Sequence, residues 1–182
     1  PTCAKPLALH KFGDAGSTYF FDSYEFTRWF SDSLKWCYLF GDVTHVPPVP
    51  SIVKSRPIEG DIANSVLLNL DKVRHFTFIK DHIPFRKKMD KAIFRLSISE
   101  KPHRRRFVQM YFGHPMCDTG IISPLPDDPP EWVKKKITLY DHLVYKFVVS
   151  LEGNDVATCL KWVMSTNSIA VMPRPTYETW FM

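Results

Sequence analysis

The segment between residues 147 and 172 carries the pattern that most restricts the possible fold. An apolar run at residues 147–151 leads into a turn at Asn154-Asp155. A helical spacing of apolar residues from Val156 to Met164 follows, and then a second apolar run at 168–172. Strand, helix and strand patterns in such close succession predict a βαβ unit with two parallel strands. The chain is therefore predicted to be an α/β protein.

The turn of this predicted βαβ unit has two readings, and the residues alone leave both open. Ligands of such units bind at the carboxyl end of the first strand. There the free amides and the positive end of the helix dipole suit an anion such as a diphosphate. Alternatively, Gly153, Asn154 and Asp155 form only a turn and a helix cap, because many βαβ turns bind nothing.

The same segment resembles the signature block of a known family. From Leu151 it reads LEGNDVAT-x-LKWVM-x-x-NS-x-x-x-MP-x-P-x-YETWFM. This is similar to the lipopolysaccharide A protein family, part of a glycosyltransferase group that includes protein O-glucosyltransferases and capsule-associated xylosyltransferases. Upstream blocks such as FGDVTHVP-x-x-P-x-x-VKSRPI, KPHR-x-x-F and HP-x-CD-x-G extend the resemblance over residues 19–182. Two positions depart from the pattern: Leu96 stands where the family has Gly, and Cys159 where it has Asn.

The resemblance implies a twin-Rossmann (GT-B-like) fold, here as an incomplete copy. Residues 1–90 would be part of the N-terminal, acceptor-side half, and residues 91–182 part of the C-terminal, nucleotide-sugar-binding half, with a cleft between them. The implied reaction moves a sugar from a UDP-sugar to a hydroxyl of a glycan acceptor in lipopolysaccharide core synthesis, with inversion. The UDP-sugar is a co-substrate. No cofactor and no metal are expected, because amides and cations can stabilise a leaving diphosphate.

The resemblance also implies which residues bind the donor. Arg95 closes a strand-like run, and Arg104 opens a predicted helix after Pro102. Both would hold donor phosphates, because a guanidinium can bond two oxygens at once. The signature block supplies the other predicted donor-binding residues: Gly153, Asn154, Asp155, Ala157, Thr158 and Lys161. The aromatic residues of the closing segment line the sugar site or pack as a hydrophobic end: Tyr177, Trp180 and Phe181.

Asp42 is the predicted catalytic base. It follows a strand-like run at residues 36–40 and therefore stands where a side chain can enter a cleft. Inverting transfer needs one base to take the proton of the acceptor hydroxyl, and the wider family supplies an Asp from a corresponding block before a Pro-rich stretch. Two alternatives stay open. Asp42 is a turn residue after Gly41, or Asp155 is the base, although its position favours a helix cap.

The positive charge of the chain is concentrated in its middle. Residues 72–106 hold 12 of the 24 Lys and Arg residues but only three acidic ones, in a chain of net charge +5. This distribution favours an anionic partner: a nucleotide diphosphate, anionic lipid or nucleic acid. A basic nucleic-acid-binding module is thus one alternative, although no nucleic-acid motif is recognisable. A catalytically inactive relative that binds a sugar nucleotide is another. Because of the family resemblance, we favour a glycosyltransferase with no nucleic-acid partner.

Cysteine usage and the expected acceptor indicate a location. Four cysteines without a Cys-x-x-Cys pair favour reduced thiols in a cytoplasmic protein. His114 and Cys117 have a ligand-like spacing, but a zinc site needs two further ligands. The acceptor would be an oligosaccharide or a lipid-linked glycan. A lipid-linked acceptor would bring the enzyme to the inner face of the membrane, in peripheral contact with its anionic surface.

An aromatic pattern near the N-terminus predicts a helix. Ser23 is the predicted N-cap, and apolar residues at helical spacing follow it: Phe26, Trp29, Phe30 and Leu34. We interpret this stripe as part of the hydrophobic core. The Pro-rich residues 46–50 form a stiff connector in which no helix can persist.

Overall fold

The computed structural model describes Lys5–Pro6 and residues 16–182, with side chains from residue 18 onward. Cys3 lies outside the described residues, and Cys37, Cys117 and Cys159 are free thiols. The described chain forms two compact units. Unit 1 contains the described residues up to Thr77 together with Asn154–Thr158 and Arg174–Met182, and unit 2 contains Phe78–Gly153 and Cys159–Pro173.

Unit 1 is built on a three-stranded parallel sheet with β4 in its centre. Its strands, in spatial order, are β3 (Tyr38–Leu39), β4 (Ser51–Val53) and β6 (Ser65–Leu67). Two antiparallel pairs join β1 (Lys5–Pro6) to β2 (Lys35–Trp36), and β5 (Ser55–Pro57) to β11 (Tyr177–Thr179). The helices of this unit are α1 (Gly16–Thr27) and α2 (Lys72–His75).

Unit 2 is built on a four-stranded parallel sheet. Its strands are β7 (Met89–Leu96), β8 (Cys117–Ile121), β9 (Tyr145–Val149) and β10 (Ile169–Val171), in the spatial order β8-β7-β9-β10. Helix α3 (Pro102–Tyr111) follows β7, α4 (Leu139–His142) precedes β9, and α5 (Leu160–Met164) connects β9 to β10. Two 3-10 turns lie at Phe85–Lys87 and Pro130–Trp132.

The core of unit 2 lies between the sheet and α3. Consecutive residues of a strand point to opposite faces, yet Ile93 and Phe94 in the central strand β7 are both buried. Burial on both faces is typical of parallel sheets, whose connections cover each side. Val108 on α3 packs into the cluster around Phe94, together with the following residues: Ile98, Ile121, Trp132, Val149 and Leu151. This core fixes the strand ends that carry the functional residues.

The predicted βαβ unit is confirmed, and with it the α/β class. Strands β9 and β10 are parallel, with Phe147 opposite Ile169, and α5 lies between them in sequence. The predicted start of the helix is wrong. Residues 153–156 form bends, and α5 begins only at Leu160 with Cys159 as its N-cap. The division into acceptor and donor halves near residue 90 stays a prediction.

The predicted N-terminal aromatic helix is wrong in position. Ser23 lies inside α1, where its hydroxyl donates to the carbonyl oxygens of Tyr19 (2.5 Å) and Phe20 (3.1 Å) instead of capping a helix. Because α1 ends at Thr27, the helical spacing beyond it no longer defines one face. The residues predicted for the core are at least 36% exposed: Phe26, Trp29, Phe30 and Leu34. Three of them, Phe26, Phe30 and Leu34, line an open apolar groove of about 390 Å³ in unit 1.

Candidate functional site

The sheet of unit 2 has a topological switch point between β7 and β9. From β7 the chain runs through α3 to β8 on one side, whereas β9 and β10 are added on the other side. Ligands of open parallel sheets bind outside the carboxyl ends of the strands at such a point. In unit 2 this edge is formed by Ser97 after β7 and by residues 150–153 after β9.

Arg104 joins the two loops at this switch point. From α3, its guanidinium donates Nη1 to the carbonyl oxygen of Ser97, Nη2 to that of Leu151 and Nε to that of Glu152, each at 2.9 Å. Burial lowers the pKa of Arg104, but an arginine stays protonated in proteins. A guanidinium has five N–H groups, so two remain for an anionic ligand. Arg104 can therefore hold the loops and face a diphosphate at the same time.

The predicted donor-binding residues of the signature block divide between the two units. Gly153 belongs to unit 2, where a Cβ at this position would lie 3.3 Å from Nη2 of Arg104. The chain enters unit 1 at Asn154 and returns to unit 2 at Cys159. Ala157 is buried and Thr158 exposed in unit 1; Lys161 is buried in the first turn of α5 in unit 2. The helix dipole predicted at residues 153–155 is absent, because α5 starts seven residues after Gly153.

Arg95 is held two residues back from the carboxyl edge. Its side chain is 5% exposed, and Nη2 donates to Oδ1 of Asp118 at 2.7 Å. Asp118 pairs in register with Ile93, so the guanidinium folds back along β7. Among the described residues, Nε and Nη1 of Arg95 have no hydrogen-bond partner. Gly120 on β8 makes room for this arrangement, since a Cβ there would lie 2.5 Å from Nη1.

Asp118 collects hydrogen bonds from three side chains. Besides Arg95, it accepts from Nζ of Lys134 (2.9 Å) and from the hydroxyl of Tyr145 (2.6 Å). Burial alone would raise the pKa of Asp118, but these three donors hold it well below its usual range. Burial and the Asp118 carboxylate raise the pKa of Tyr145 to about 12. The charge of Arg95 is thus matched within unit 2, and its role in donor binding stays a prediction.

A second group of charged residues lies at the carboxyl edge of the sheet in unit 1. Asp42 follows β3, Lys54 follows β4 and Asp71 follows β6, and the ends of parallel strands meet at one edge. Asp42 forms an ion pair with Lys54, and its Oδ1 lies 3.4 Å from Nη2 of Arg74. Its Oδ2 accepts a hydrogen bond of 3.0 Å from Nδ2 of Asn154. The structure thus brings together two of the predicted site residues, Asp42 and Asn154.

Asp155 is a partner of Lys54 and not a helix cap. Its Oδ2 lies 3.0 Å from Nζ of Lys54 and accepts a hydrogen bond of 2.6 Å from the hydroxyl of Ser55. The side chains of Lys54 and Asp155 are 1% and 5% exposed, whereas that of Asp42 is 26% exposed. Of the two carboxylates beside Lys54, Asp42 is therefore the one that a substrate in solution can reach.

The surroundings of Asp42 determine its charge. Burial alone would raise its pKa, but the hydrogen bonds from Lys54 and Asn154 and the charges of Lys54 and Arg74 outweigh burial. They lower the pKa of Asp42 from 3.8 to about 2. Asp42 is consequently ionised throughout the neutral range and accepts hydrogen bonds there.

The low pKa of Asp42 predicts an acid-dependent loss of stability. A carboxylate whose pKa is lower in the folded state stabilises the fold at any pH above its pKa in the unfolded chain. This contribution disappears as pH falls through its pKa in the folded state. Between pH 4 and pH 2, the unfolding free energy of the native chain should fall by about 2 kcal/mol more than that of Asp42→Asn. Urea unfolding of both chains from pH 6 to pH 2 measures this. Parallel curves across that range would contradict the assignment.

Sequence reasoning assigned no role to Lys54, Ser55 or Arg74. Lys54 and Ser55 lie in the VKSRPI block, directly after the short apolar run Ile52-Val53. The carboxyl end of that run was a usable signal, because ligand contacts of parallel sheets gather there. The signal was missed because a three-residue strand is too short to show a strand period, and a lysine after it reads as exposed.

The aromatic residues predicted for the sugar site occupy different places in unit 1. Tyr177 lies on β11 and lines an open cleft of about 430 Å³ together with Thr44, Glu59 and Arg174. Trp180 instead stacks on Phe76, with 5.9 Å between ring centroids. Phe181 packs edge-on against Trp180, with 5.7 Å between ring centroids, and the role of these three residues at a sugar site stays a prediction.

Part of the basic middle segment is paired with carboxylates. Five of its cations form ion pairs: Lys72 with Glu25, Arg74 with Asp71, Lys88 with Asp81, Arg95 with Asp118 and Arg105 with Asp128. A sixth, Arg104, binds backbone carbonyls. Carboxylates within the same unit therefore match five of the twelve cations of this segment, and the segment keeps part of its positive charge.

Two features are absent from the part of the chain that the structure describes. Among residues 16–182, no three His, Cys, Asp or Glu side chains stand together as a metal would require. In the same range, no helix has the length and apolar character needed to cross a bilayer.

Comparison with known proteins identifies a relative of this chain. No family model matches the chain. Over 177 residues the chain is 42% identical to a protein of Dichelobacter nodosus named O-glucosyltransferase LpsA, and the match covers 97% of this chain. It covers 55% of the relative, so the chain spans about half the length of the curated protein that it matches.

Proposed function

The chain belongs to the lipopolysaccharide A protein family, and on that premise we propose that it transfers a sugar from a UDP-sugar to a glycan hydroxyl. The name of the relative makes glucose the first donor sugar to test. The proposed acceptor is an oligosaccharide or lipid-linked glycan of the lipopolysaccharide core. We propose further that the whole enzyme has a twin-Rossmann (GT-B-like) fold and acts in the cytoplasm, at the inner face of the membrane.

Arg104 at the switch point of unit 2 is the observation that carries this proposal. A diphosphate at the carboxyl ends of β7 and β9 would meet the two N–H groups of Arg104 that bind no carbonyl. Fixed donors aimed at the developing charge stabilise a leaving group without reorganisation. The departing UDP would thus be neutralised by Arg104 and the loop at Gly153, with no metal required.

Asp42 would act as the base. In the proposed step, the acceptor oxygen bonds to the anomeric carbon while the bond from that carbon to the β-phosphate oxygen breaks. The bonding electrons leave with UDP, and the hydroxyl proton passes to Asp42. A base works best with a pKa near the operating pH, so Asp42 must gain proton affinity. Asn154 and Arg74 are exposed donors to Asp42, and an acceptor hydroxyl that displaces them would supply that gain.

Calorimetry with UDP in the presence of EDTA tests the donor site. We expect the native chain to bind UDP and Arg104→Leu to bind about 10- to 100-fold more weakly, because a charge-assisted hydrogen bond contributes about 1.5–3 kcal/mol. Arg106→Leu is the matched control, since Arg106 is exposed on the same helix. Circular dichroism would reveal a folding defect in Arg104→Leu. Arg104→Lys, which keeps the charge, serves as the second variant in that case.

The outcomes of this titration separate the candidate functions. Equal affinity of Arg104→Leu and native chain would contradict the proposed donor site. Unchanged affinity in Arg95→Ala would remove Arg95 from that site and leave it as a partner of Asp118. UDP binding without any sugar transfer would favour the alternative of a catalytically inactive, sugar-nucleotide-binding relative.

A further inference from the structure

Two carboxylates in unit 1 share one buried lysine. Nζ of Lys54 pairs with Asp42 on one side and lies 3.0 Å from Asp155 on the other. Lys54 and Asp155 are both almost fully buried, and Asp42 is the member with solvent access. A second carboxylate is not needed to neutralise Lys54 while Asp42 is ionised, so its presence calls for a physical reason.

The reason emerges from the charge change that a base undergoes. When Asp42 accepts a proton it becomes neutral, and Lys54 loses one of its counter-ions. A buried cation without a partner is strongly unfavourable, because its desolvation is no longer offset by Coulomb attraction. With Asp155 beside it, Lys54 keeps an ion pair through the step. Ser55 holds Asp155 in place by its hydrogen bond of 2.6 Å.

The other groups facing Asp42 do not perform this role. Arg74 pairs with Asp71 as well as with Asp42, and its side chain is 48% exposed, so water can solvate it. Tyr19 on α1 and Asp71 before α2 also act electrostatically in this cluster. Asn154 donates to Asp42 but carries no charge. Within the described cluster, Lys54 is the deeply buried cation that Asp42 contacts.

We propose that Lys54 and Asp155 are positioning residues that let Asp42 take up a proton. Before the step Lys54 pairs with both Asp42 and Asp155, and after it Lys54 pairs with Asp155 alone. Lys54 keeps all its protons and Asp155 stays ionised in this step. The proton taken from the acceptor later leaves Asp42 for solvent. The inference rests on the proposed function of Asp42 and adds two residues to it.

Carbon NMR of the Asp42 carboxyl during a pH titration tests the electrostatic part without any activity. Lys54→Met should raise the pKa of Asp42 by about 1 to 3, the usual effect of losing an adjacent cation. Asp155→Asn should lower it below its native value, because a repelling carboxylate is removed and a protonated Asp42 would leave Lys54 without a counter-ion. Arg56→Met, which breaks the pair with Glu178 elsewhere in unit 1, is the control and should leave the value at about 2.

Kinetics test the role in transfer. Asp155→Asn should lower kcat by about 100-fold or more at unchanged KM, because a protonated Asp42 would then leave Lys54 buried without a carboxylate. A purely structural Asp155 would instead lower the amount of folded enzyme and leave the kcat of the folded fraction unchanged. Asp155→Asn is isosteric, so it decides the question even if Lys54→Met fails to fold.

The results that would overturn the inference differ from those that would overturn the function. An Asp42 pKa that stays at about 2 in Lys54→Met, or that does not fall in Asp155→Asn, contradicts the positioning pair. Full kcat in Asp155→Asn also contradicts it. Full transfer by Asp42→Asn would instead remove Asp42 as the base, whatever the titrations give.

Discussion

Replacing Asp42 by Asn is expected to lower the rate of sugar transfer by about 100- to 10,000-fold, the usual contribution of general base catalysis. Asn keeps the size of Asp and a hydrogen-bond acceptor for Arg74, but its amide has little affinity for a proton. Lys54 keeps an ion pair with Asp155 in this variant, so the fold should persist. Transfer of labelled glucose from UDP-glucose to lipopolysaccharide core oligosaccharide measures the effect.

Two controls define what this result means. Asp32→Asn changes an exposed carboxylate of the same unit and should keep the native rate. UDP affinity of Asp42→Asn should also match the native value, because the proposed donor contacts come from unit 2. A variant that transfers at the native rate would show that another group takes the proton. An inactive native chain would instead favour the binding-only relative.

Replacing Asp81 by Ala is expected to destabilise unit 2 by about 3–5 kcal/mol, the usual consequence of removing one partner of a buried ion pair. Asp81 accepts from Nζ of Lys88 at 2.7 Å and from the backbone N–H groups of Ile83 and Asn167 at 2.9 Å each. The side chains of Lys88 and Asp81 are 0% and 1% exposed. The variant leaves the Lys88 ammonium buried without a carboxylate.

The matched control for Asp81→Ala is Asp90→Ala. Asp90 pairs with Lys146 at 2.5 Å, but its side chain is 76% exposed, and exposed pairs contribute about 1 kcal/mol or less. Denaturant unfolding of the three chains gives the comparison. Equal losses in the two variants would mean that water reaches Lys88 and that the burial of the pair does not decide its energy.

The parts of the fold that could be predicted are those with a strong periodic pattern. The apolar run at 147–151 and the helical spacing that follows identified β9, α5 and β10, because strand and helix periods differ clearly over such lengths. The helix predicted to open at Arg104 is α3, but it begins two residues earlier at Pro102, since proline fits the first helical turn. The Pro-rich residues 46–50 contain no helix, as predicted.

The parts that could not be predicted depend on contacts between distant segments. Asp155 reads locally as a helix cap, yet its partners Lys54 and Ser55 come from about 100 residues earlier. The strands of unit 1 are two or three residues long and carry no period of their own. Trp29 and Phe30 read as a core stripe, but α1 ends before them at Thr27. No local rule specifies these outcomes.

The discontinuity of unit 1 bears on how the chain folds as it is synthesised. Strands β3, β4 and β6 emerge from the ribosome early, but Asp155 and β11 emerge some 90 residues after β6 or later. Until then Lys54 lacks one counter-ion, and β5 lacks the strand that pairs with it. Such long-range pairing is slow, because distant segments must meet before the contact gains free energy. Unit 2 comes mostly from one continuous stretch, so it should be the first unit to reach its native state during translation.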